Sequence, residues 1–187
     1  EAKPGPRVAA LIGPYLGGKT SLMEALLFAA GALPRQGSAK ERSTVGDASP
    51  EARARQMSVE VSVASCQYLG EDWTLIDCPG SIEFAQDTHN ALLVADVAVV
   101  VCEPAPDKAP ALLPLLRFLD EHAIPHVIFV NKTDLHAPDL PLLMEALQGV
   151  SERPLVLRQV PLRSGDALTG FVDLISERAY QYKPGGP

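Results

Sequence analysis

The chain has 187 residues, 47% of them hydrophobic and 21% charged, and its 16 Lys and Arg against 23 Asp and Glu give a net charge of −7. This composition predicts a full hydrophobic core and excludes disorder throughout. The longest apolar run, residues 91–102, is interrupted by Asp96 and is shorter than the roughly 20 residues that span a bilayer. With no signal pattern at the start and no basic excess, we expect a cytoplasmic protein that binds neither membranes nor free DNA.

Short apolar runs and helical patterns alternate along the first two thirds of the chain. Residues 7–12 predict a buried strand, and residues 20–30 predict a helix that stops at Gly31. Residues 31–50 show no regular spacing of hydrophobic residues, which predicts a long loop. Ser49 begins a short predicted helix that ends near Gln56. Residues 57–69 and 73–78 alternate as strands around a turn at residues 70–72, which predicts a hairpin.

The alternation continues to residue 148. It predicts helices at residues 84–93, 111–121 and 140–148 and strands at 97–102 and 126–130. Strands and helices in turn favour an α/β fold, a three-layer, mostly parallel sheet with helices on both faces. Cys66, Cys78 and Cys102 lie in apolar runs without metal-ligand spacing, so we expect buried reduced thiols.

The pattern of hydrophobic residues changes after Ser151. Short β-like pieces follow at residues 155–162, 170–175 and 179–182, with no helix between them. We therefore predict a domain at residues 1–150 and, at residues 151–187, the incomplete beginning of a β-rich subdomain that is too small to close a core of its own.

Residues 13–20, GPYLGGKT, match the phosphate-binding pattern G-x-x-x-x-G-K-[ST] between a predicted strand and a predicted helix. Glycines let such a loop wrap an anion, so its N–H groups and the helix dipole would face phosphates. Lys19 would bridge the β- and γ-phosphates, and the Thr20 hydroxyl would bind Mg²⁺. The alternative is a glycine turn with a solvent-exposed lysine. The predicted phosphate-binding residues are Gly13, Leu16, Gly17, Gly18, Lys19, Thr20 and Ser21.

Two further motifs follow predicted strands. Asp77 and Gly80, in DCPG, end the hairpin; the carboxylate can hold Mg²⁺ through water and the Gly80 N–H can sense a γ-phosphate, whereas the alternative is a plain β-turn. The segment NKTD at residues 131–134 suits a guanine base. A carboxylate at Asp134 can accept from the N1–H and the 2-amino group, Asn131 can meet the N7/O6 edge, and the Lys132 stem can lie against the ring; adenine offers no matching donor pair.

Together these motifs resemble the GTP-binding domain of translational GTPases, above all elongation factor G and its relatives. RQMSV at residues 55–59 is similar to the RGITI of that family's first switch, and DCPGSIEF at residues 77–84 to its DTPGHVDF. Residues 154–182 resemble the start of the domain that elongation factor G inserts into its G domain. The resemblance implies a P-loop NTPase fold, binding of GTP or GDP with Mg²⁺, GTP hydrolysis, and a monomer that meets the ribosome mainly through domains outside this chain.

Three positions depart from the family pattern. Ser58 stands at the switch threonine, where its hydroxyl can still bind Mg²⁺, and Leu16 replaces an aspartate that can support a monovalent cation. Ser81 replaces the histidine that orients the attacking water. The predicted catalytic set is therefore Lys19, Gly80 and the changed position Ser81. Two functions remain open: a GTPase, or a GTP-dependent switch module with weak or lost hydrolysis that acts as a regulatory, ribosome-associated paralogue. An ATP-using enzyme conflicts with the guanine motif.

Overall fold

The computed structural model describes residues 7–34, 61–80, 85–134, 139–165 and 167–183. Two sheets and four α-helices make up these ranges. The strands are β1 (Arg7–Ile12), β2 (Ser62–Tyr68), β3 (Glu71–Asp77), β4 (Val97–Cys102), β5 (His126–Val130), β6 (Gln159–Ser164), β7 (Ala167–Asp173) and β8 (Arg178–Gln181). The α-helices are α1 (Lys19–Ala29), α2 (Ala85–Leu93), α3 (Leu113–Glu121) and α4 (Leu140–Gln148), and a 3₁₀ helix spans Pro106–Leu112.

The larger sheet has the strand order β2-β3-β1-β4-β5. Strand β1 pairs in parallel with β3 and β4, β4 pairs in parallel with β5, and β2 is antiparallel to β3. The register places Leu11 beside Asp77, and Cys102 beside Val130. The carboxyl ends of β1, β3, β4 and β5 therefore share one edge, where residues 13, 78, 103 and 131 begin the connecting loops.

Helices cover both faces of this sheet, as predicted. Because side chains alternate along a strand, Ala9 and Leu11 of β1 pack against Met23 and Leu27 of α1. Ala10 and Ile12 point to the other face, into a larger cluster that α2, α3 and α4 complete with Leu92, Leu116, Leu119, Leu143 and Leu147. Burial on both faces explains why β1 and β4, which lie inside this sheet, read as unbroken apolar runs.

The predicted strands at residues 7–12, 97–102 and 126–130 and the predicted helix at residues 140–148 have the bounds that the structure shows. The hairpin turn was predicted wrongly: it consists of Leu69 and Gly70, with φ angles of 52° and 81°, and Glu71 already pairs with Tyr68. Two positive φ angles are the geometry of a tight turn that matches strand twist. The predicted helix at residues 49–56 and most of the predicted loop at residues 31–50 lie outside the described residues.

Several other boundaries differ. Helix α1 covers Lys19–Ala29 and not residues 20–30, β3 covers Glu71–Asp77 and not residues 73–78, and β7 and β8 cover Ala167–Asp173 and Arg178–Gln181 and not residues 170–175 and 179–182. Residues 111 and 112 belong to the 3₁₀ helix and not to α3, because Pro114 has no N–H to donate to the preceding turn of an α-helix. Residues 155–158 are not a strand, since the N–H of Leu155 instead donates to Oε1 of the Gln148 side chain at 2.9 Å. The thiols are free, as predicted, but Cys66 on the edge strand β2 is only half-buried.

The smaller sheet is antiparallel, in the order β6-β7-β8. Phe171 and Tyr180 stack across β7 and β8, with ring centroids 5.0 Å apart. Arg158, directly before β6, donates to Asp173 at the end of β7 through hydrogen bonds of 3.2 Å. Within the described ranges, every helix is too short or too polar to cross a membrane.

Candidate functional site

The loop between β1 and α1 wraps tightly at the shared edge of the sheet. Gly18, the residue before α1, has a φ of 93°, and a Cβ built on it would lie 2.2 Å from Nδ2 of Asn131. No other residue fits there without displacing the Asn131 side chain, and an L side chain also disfavours this φ. Gly18 therefore brings the first loop into direct contact with the loop that follows β5.

Lys19 folds back over this loop and is only 7% exposed. Its ammonium group donates to the carbonyl oxygens of Gly13 at 3.1 Å and Pro14 at 3.0 Å. Burial lowers the pKa of Lys19, and the negative charge of Asp77 opposes that effect. The loop thus holds a partly desolvated cation at its centre, which is the charge that a phosphate group would meet.

Asp77, the last residue of β3, is fully buried and faces the start of α1. Its Oδ2 accepts a 2.5 Å hydrogen bond from the Thr20 hydroxyl, while Oδ1 has no hydrogen-bond partner among the described residues. Burial raises the pKa of Asp77, and the hydrogen bond from Thr20 partly counters this. The buried Oδ1 receives no hydrogen bond from the described residues, and the Thr20 hydroxyl lies next to the same carboxylate. Mg²⁺ prefers oxygen ligands of these two types.

The residues present therefore fit a Mg²⁺ ion. No group of three His, Cys, Asp and Glu side chains in the described ranges could hold a metal by itself. Mg²⁺ needs only one or two protein ligands, because water and substrate phosphates complete its shell.

Gly80 touches the same loop from the other side. A Cβ built on Gly80 would lie 2.6 Å from Nζ of Lys19 and 2.7 Å from the backbone nitrogen of Tyr15. Contacts this short mean that a side chain at position 80 would displace the phosphate-binding loop itself. The chain after β3 therefore runs directly against Lys19.

The loop after β5 is fastened to the phosphate-binding loop. The backbone N–H of Asn131 donates to the Cys102 carbonyl at 2.8 Å, and its side-chain Nδ2 donates to the Gly17 carbonyl at 3.0 Å. Lys132, with a φ of 58°, donates from Nζ to the Leu16 carbonyl at 2.7 Å. Asp134 is exposed at the end of this loop, so its carboxylate is accessible to a ligand.

The structure thus brings most of the predicted residues to one edge of the sheet. Leu16 is 62% exposed with a φ of 62°, and Ser21 is exposed on α1. The Asn131 amide was predicted to meet a base edge, and its hydrogen bond to Gly17 is an additional structural contact. Ser58 and Ser81 lie outside the described residues.

Two residues of this region were missed from the sequence. Glu103 follows β4 directly, and its Oε1 lies 2.6 Å from Nζ of Lys132; an acid at the carboxyl end of a buried strand was the available signal. Arg163 in β6 donates a hydrogen bond to the Thr133 carbonyl, a contact that no local pattern indicates.

Comparison with known proteins agrees with this geometry. The chain is 49% identical over 179 residues to an elongation factor G-like protein of Synechocystis sp., covering 96% of this chain and 27% of that protein. It is 34% identical over 172 residues to elongation factor G 2 of Streptomyces coelicolor, covering 90% of this chain and 24% of that one. The chain therefore spans about a quarter of the length of these curated relatives.

A crystal structure of a protein from Thermus thermophilus has the same fold. It superposes with a TM-score of 0.85 at 30% identity, covering 96% of this chain and 27% of that one. Residues 6–178 match the family described as the elongation factor Tu GTP binding domain. Because that match covers most of the chain, the chain belongs to the elongation factor Tu family of GTP-binding domains.

Proposed function

We propose that the chain binds GTP and GDP with Mg²⁺ and hydrolyses GTP, as the G domain of an elongation-factor-G-like translation factor. The observation that carries this proposal is the direct contact between two loops. Asn131 and Lys132 donate to the carbonyls of Gly17 and Leu16 at 3.0 and 2.7 Å. A base-binding loop and a phosphate-binding loop joined in this way can hold both ends of one nucleotide.

At the phosphate end, Lys19 supplies the main positive charge. Its ammonium group lies against the loop that leads into α1, where it donates to the carbonyls of Gly13 and Pro14. When a nucleotide binds, phosphate oxygens would replace these two carbonyls as its hydrogen-bond acceptors. The backbone amides at residues 16–20 and Ser21 would complete the cradle around Gly13, Gly17 and Gly18. When the γ-phosphoryl group is transferred to water during GTP hydrolysis, Lys19 would offset the negative charge that develops on the phosphate oxygens.

Thr20 and Asp77 would hold Mg²⁺, Thr20 directly and Asp77 through water, with Ser58 as a further hydroxyl ligand. When bound, the ion neutralises phosphate charge. The 2.5 Å bond between the Thr20 hydroxyl and the Asp77 carboxylate orients both oxygens, since each fixes the rotamer of the other. The Gly80 N–H would sense the γ-phosphate by donating a hydrogen bond to it, because Gly80 lies against Lys19.

At the base end, Asp134 would select guanine by accepting two hydrogen bonds, and Lys132 would pack its stem along the ring. Selectivity follows because adenine would leave the carboxylate desolvated and unpaired.

We propose further that residues 1–150 form the G domain and residues 151–187 the start of an inserted subdomain. The parent protein would act in the cytoplasm as a monomer on the ribosome. The relatives' names, which describe elongation factors, support a role in translation.

A calorimetric titration with GDP, a non-hydrolysable GTP analogue and ATP, each with Mg²⁺, tests the binding proposal. Guanine nucleotides should bind and ATP should not, and Lys19→Ala should nearly abolish binding. Competition by ATP, or unchanged affinity in Lys19→Ala, contradicts the assignment of the site.

A second candidate is a GTP-dependent switch module with weak or lost hydrolysis. Leu16 favours it, because an exposed leucine in the phosphate-binding loop offers no side-chain oxygen to a monovalent cation. Ser81 adds to it, since serine is shorter than histidine and uncharged. Single-turnover GTP hydrolysis by the full-length protein with ribosomes separates the two: a large stimulation favours the GTPase, whereas a slow rate that Ser81→His restores favours the switch module.

A further inference from the structure

Glu103 lies between two lysines at the edge of the sheet. It is the first residue after β4, and its Oε1 accepts from Nζ of Lys132 at 2.6 Å, while Oε2 accepts from Nζ of Lys108. Lys132 also donates to the Leu16 carbonyl at 2.7 Å. An unbroken series of contacts thus runs from β4 through the Lys132 ammonium group to the phosphate-binding loop.

The two ion pairs differ in their access to solvent. The side chains of Glu103 and Lys132 are 24% and 31% exposed, whereas that of Lys108 is 62% exposed. A charge-assisted hydrogen bond between partly sheltered groups holds its geometry better than one to a long exposed lysine, which solvent screens. Hydrogen bonds from Lys108 and Lys132 lower the pKa of Glu103 to about 2, so the carboxylate is charged at neutral pH.

We propose that Glu103 is a positioning residue for guanine nucleotide binding, which holds Lys132 against the Leu16 carbonyl so that residues 131–134 are set before the nucleotide arrives. The inference rests on the proposed function, since it assigns Glu103 a part in that binding site. A loop ordered in advance loses less conformational entropy when the ligand binds, and affinity rises accordingly.

Electrostatic repulsion alone predicts the opposite effect of neutralising Glu103, so the direction in which nucleotide affinity changes tests the proposal. A carboxylate close to a polyphosphate site repels the ligand. If Glu103 were only a bystander, its neutralisation would tighten nucleotide binding. If Glu103 positions Lys132, the same change weakens binding despite the lost repulsion.

The test compares GDP affinity, measured by calorimetry with Mg²⁺, in four variants of the protein. Glu103→Gln, which keeps size and shape, should weaken binding about tenfold, the loss of one charge-assisted hydrogen bond. Lys132→Met should also weaken binding, and adding Glu103→Gln to Lys132→Met should weaken it no further, because only the repulsion between Glu103 and the phosphates is then removed. Lys108→Met is the matched control, because it removes the other, exposed partner of Glu103 and should leave affinity within about twofold.

Tighter or unchanged binding in Glu103→Gln overturns the proposal, and so does an equal weakening in the Lys132→Met background.

Amide hydrogen exchange in the nucleotide-free protein gives a readout that does not depend on binding. Glu103→Gln should speed exchange at Asn131, whose N–H donates to the Cys102 carbonyl at 2.8 Å, and should leave β6 and β7 unchanged. Equal exchange at Asn131 in both proteins overturns the proposal. If the wild-type chain binds no guanine nucleotide while exchange at Asn131 still rises, the proposed function fails and Glu103 is shown to order the loop.

Discussion

The guanidinium group of Arg163, in β6, donates a hydrogen bond to the carbonyl oxygen of Thr133, the residue before Asp134. The smaller sheet is thereby in direct contact with the loop proposed to read the base. Because Thr133 is followed at once by Asp134, any shift of its peptide unit also moves the Asp134 carboxylate.

Arg163→Met should therefore weaken guanine nucleotide binding by about tenfold or more, since a hydrogen bond that involves a charged group contributes roughly 1.5–3 kcal/mol. Calorimetry with GDP and Mg²⁺ measures the change. The matched control is Arg158→Met, because Arg158 bonds Asp173 within the smaller sheet and should leave affinity unchanged. Equal effects of the two substitutions would show that the smaller sheet acts only through its general stability.

Asp134 yields a prediction about base choice. Asp134→Asn replaces one acceptor oxygen by an N–H₂ donor, which repels the 2-amino group of guanine but suits the 2-oxo group of xanthine. GDP affinity should fall about 100-fold, in line with one lost hydrogen bond to a charged group and a donor placed opposite the 2-amino group, and binding of xanthosine diphosphate should appear. Parallel titrations with both nucleotides check this. An Asp134→Asn protein that prefers GDP as strongly as the wild type does would remove Asp134 from the base site.

Gly80 yields a prediction about packing. In Gly80→Ala the new methyl group would approach Nζ of Lys19 to 2.6 Å and the Tyr15 nitrogen to 2.7 Å. The lysine tip can move but the Tyr15 backbone cannot, so the unfolding free energy should fall by about 1–3 kcal/mol. Urea unfolding measures it. Gly149→Ala is the control, because its nearest contact would be 3.4 Å, and its unfolding free energy should not fall.

The sequence predicted those parts of the fold that local patterns determine. Strands β1 and β4 are largely buried, and the apolar runs of β1, β4 and β5 marked both ends of each strand. The hairpin turn depends on Leu69 adopting a positive φ of 52°, which leucine disfavours, and this is why the predicted turn fell one residue late. The start of α3 is set by two nearby prolines, because proline has no backbone N–H to donate to an α-helical hydrogen bond.

The candidate site was predictable to a similar extent. Lys19, Thr20 and Asp77 stand in motifs whose spacing already implies a shared edge of the sheet. Glu103 and Arg163 were missed because their partners, Lys132 and Thr133, lie in other segments of the chain. Which acid pairs with which lysine depends on the register between β4 and β5, and that register becomes visible only in three dimensions.

Glu103 also yields a prediction about pH. Hydrogen bonds from Lys108 and Lys132 lower its pKa from 4.5 to about 2 in the folded protein. A folded pKa below the unfolded one means that the stabilisation is complete above about pH 4.5 and is lost as the pH falls towards 2. Because about a quarter of the side chain is exposed, solvent screening reduces the contribution to roughly 1 kcal/mol. Urea unfolding of the wild type and Glu103→Gln should therefore differ by that amount at pH 7 and by clearly less at pH 3. A difference that stays constant between these two pH values would mean that the carboxylate charge does not stabilise the fold.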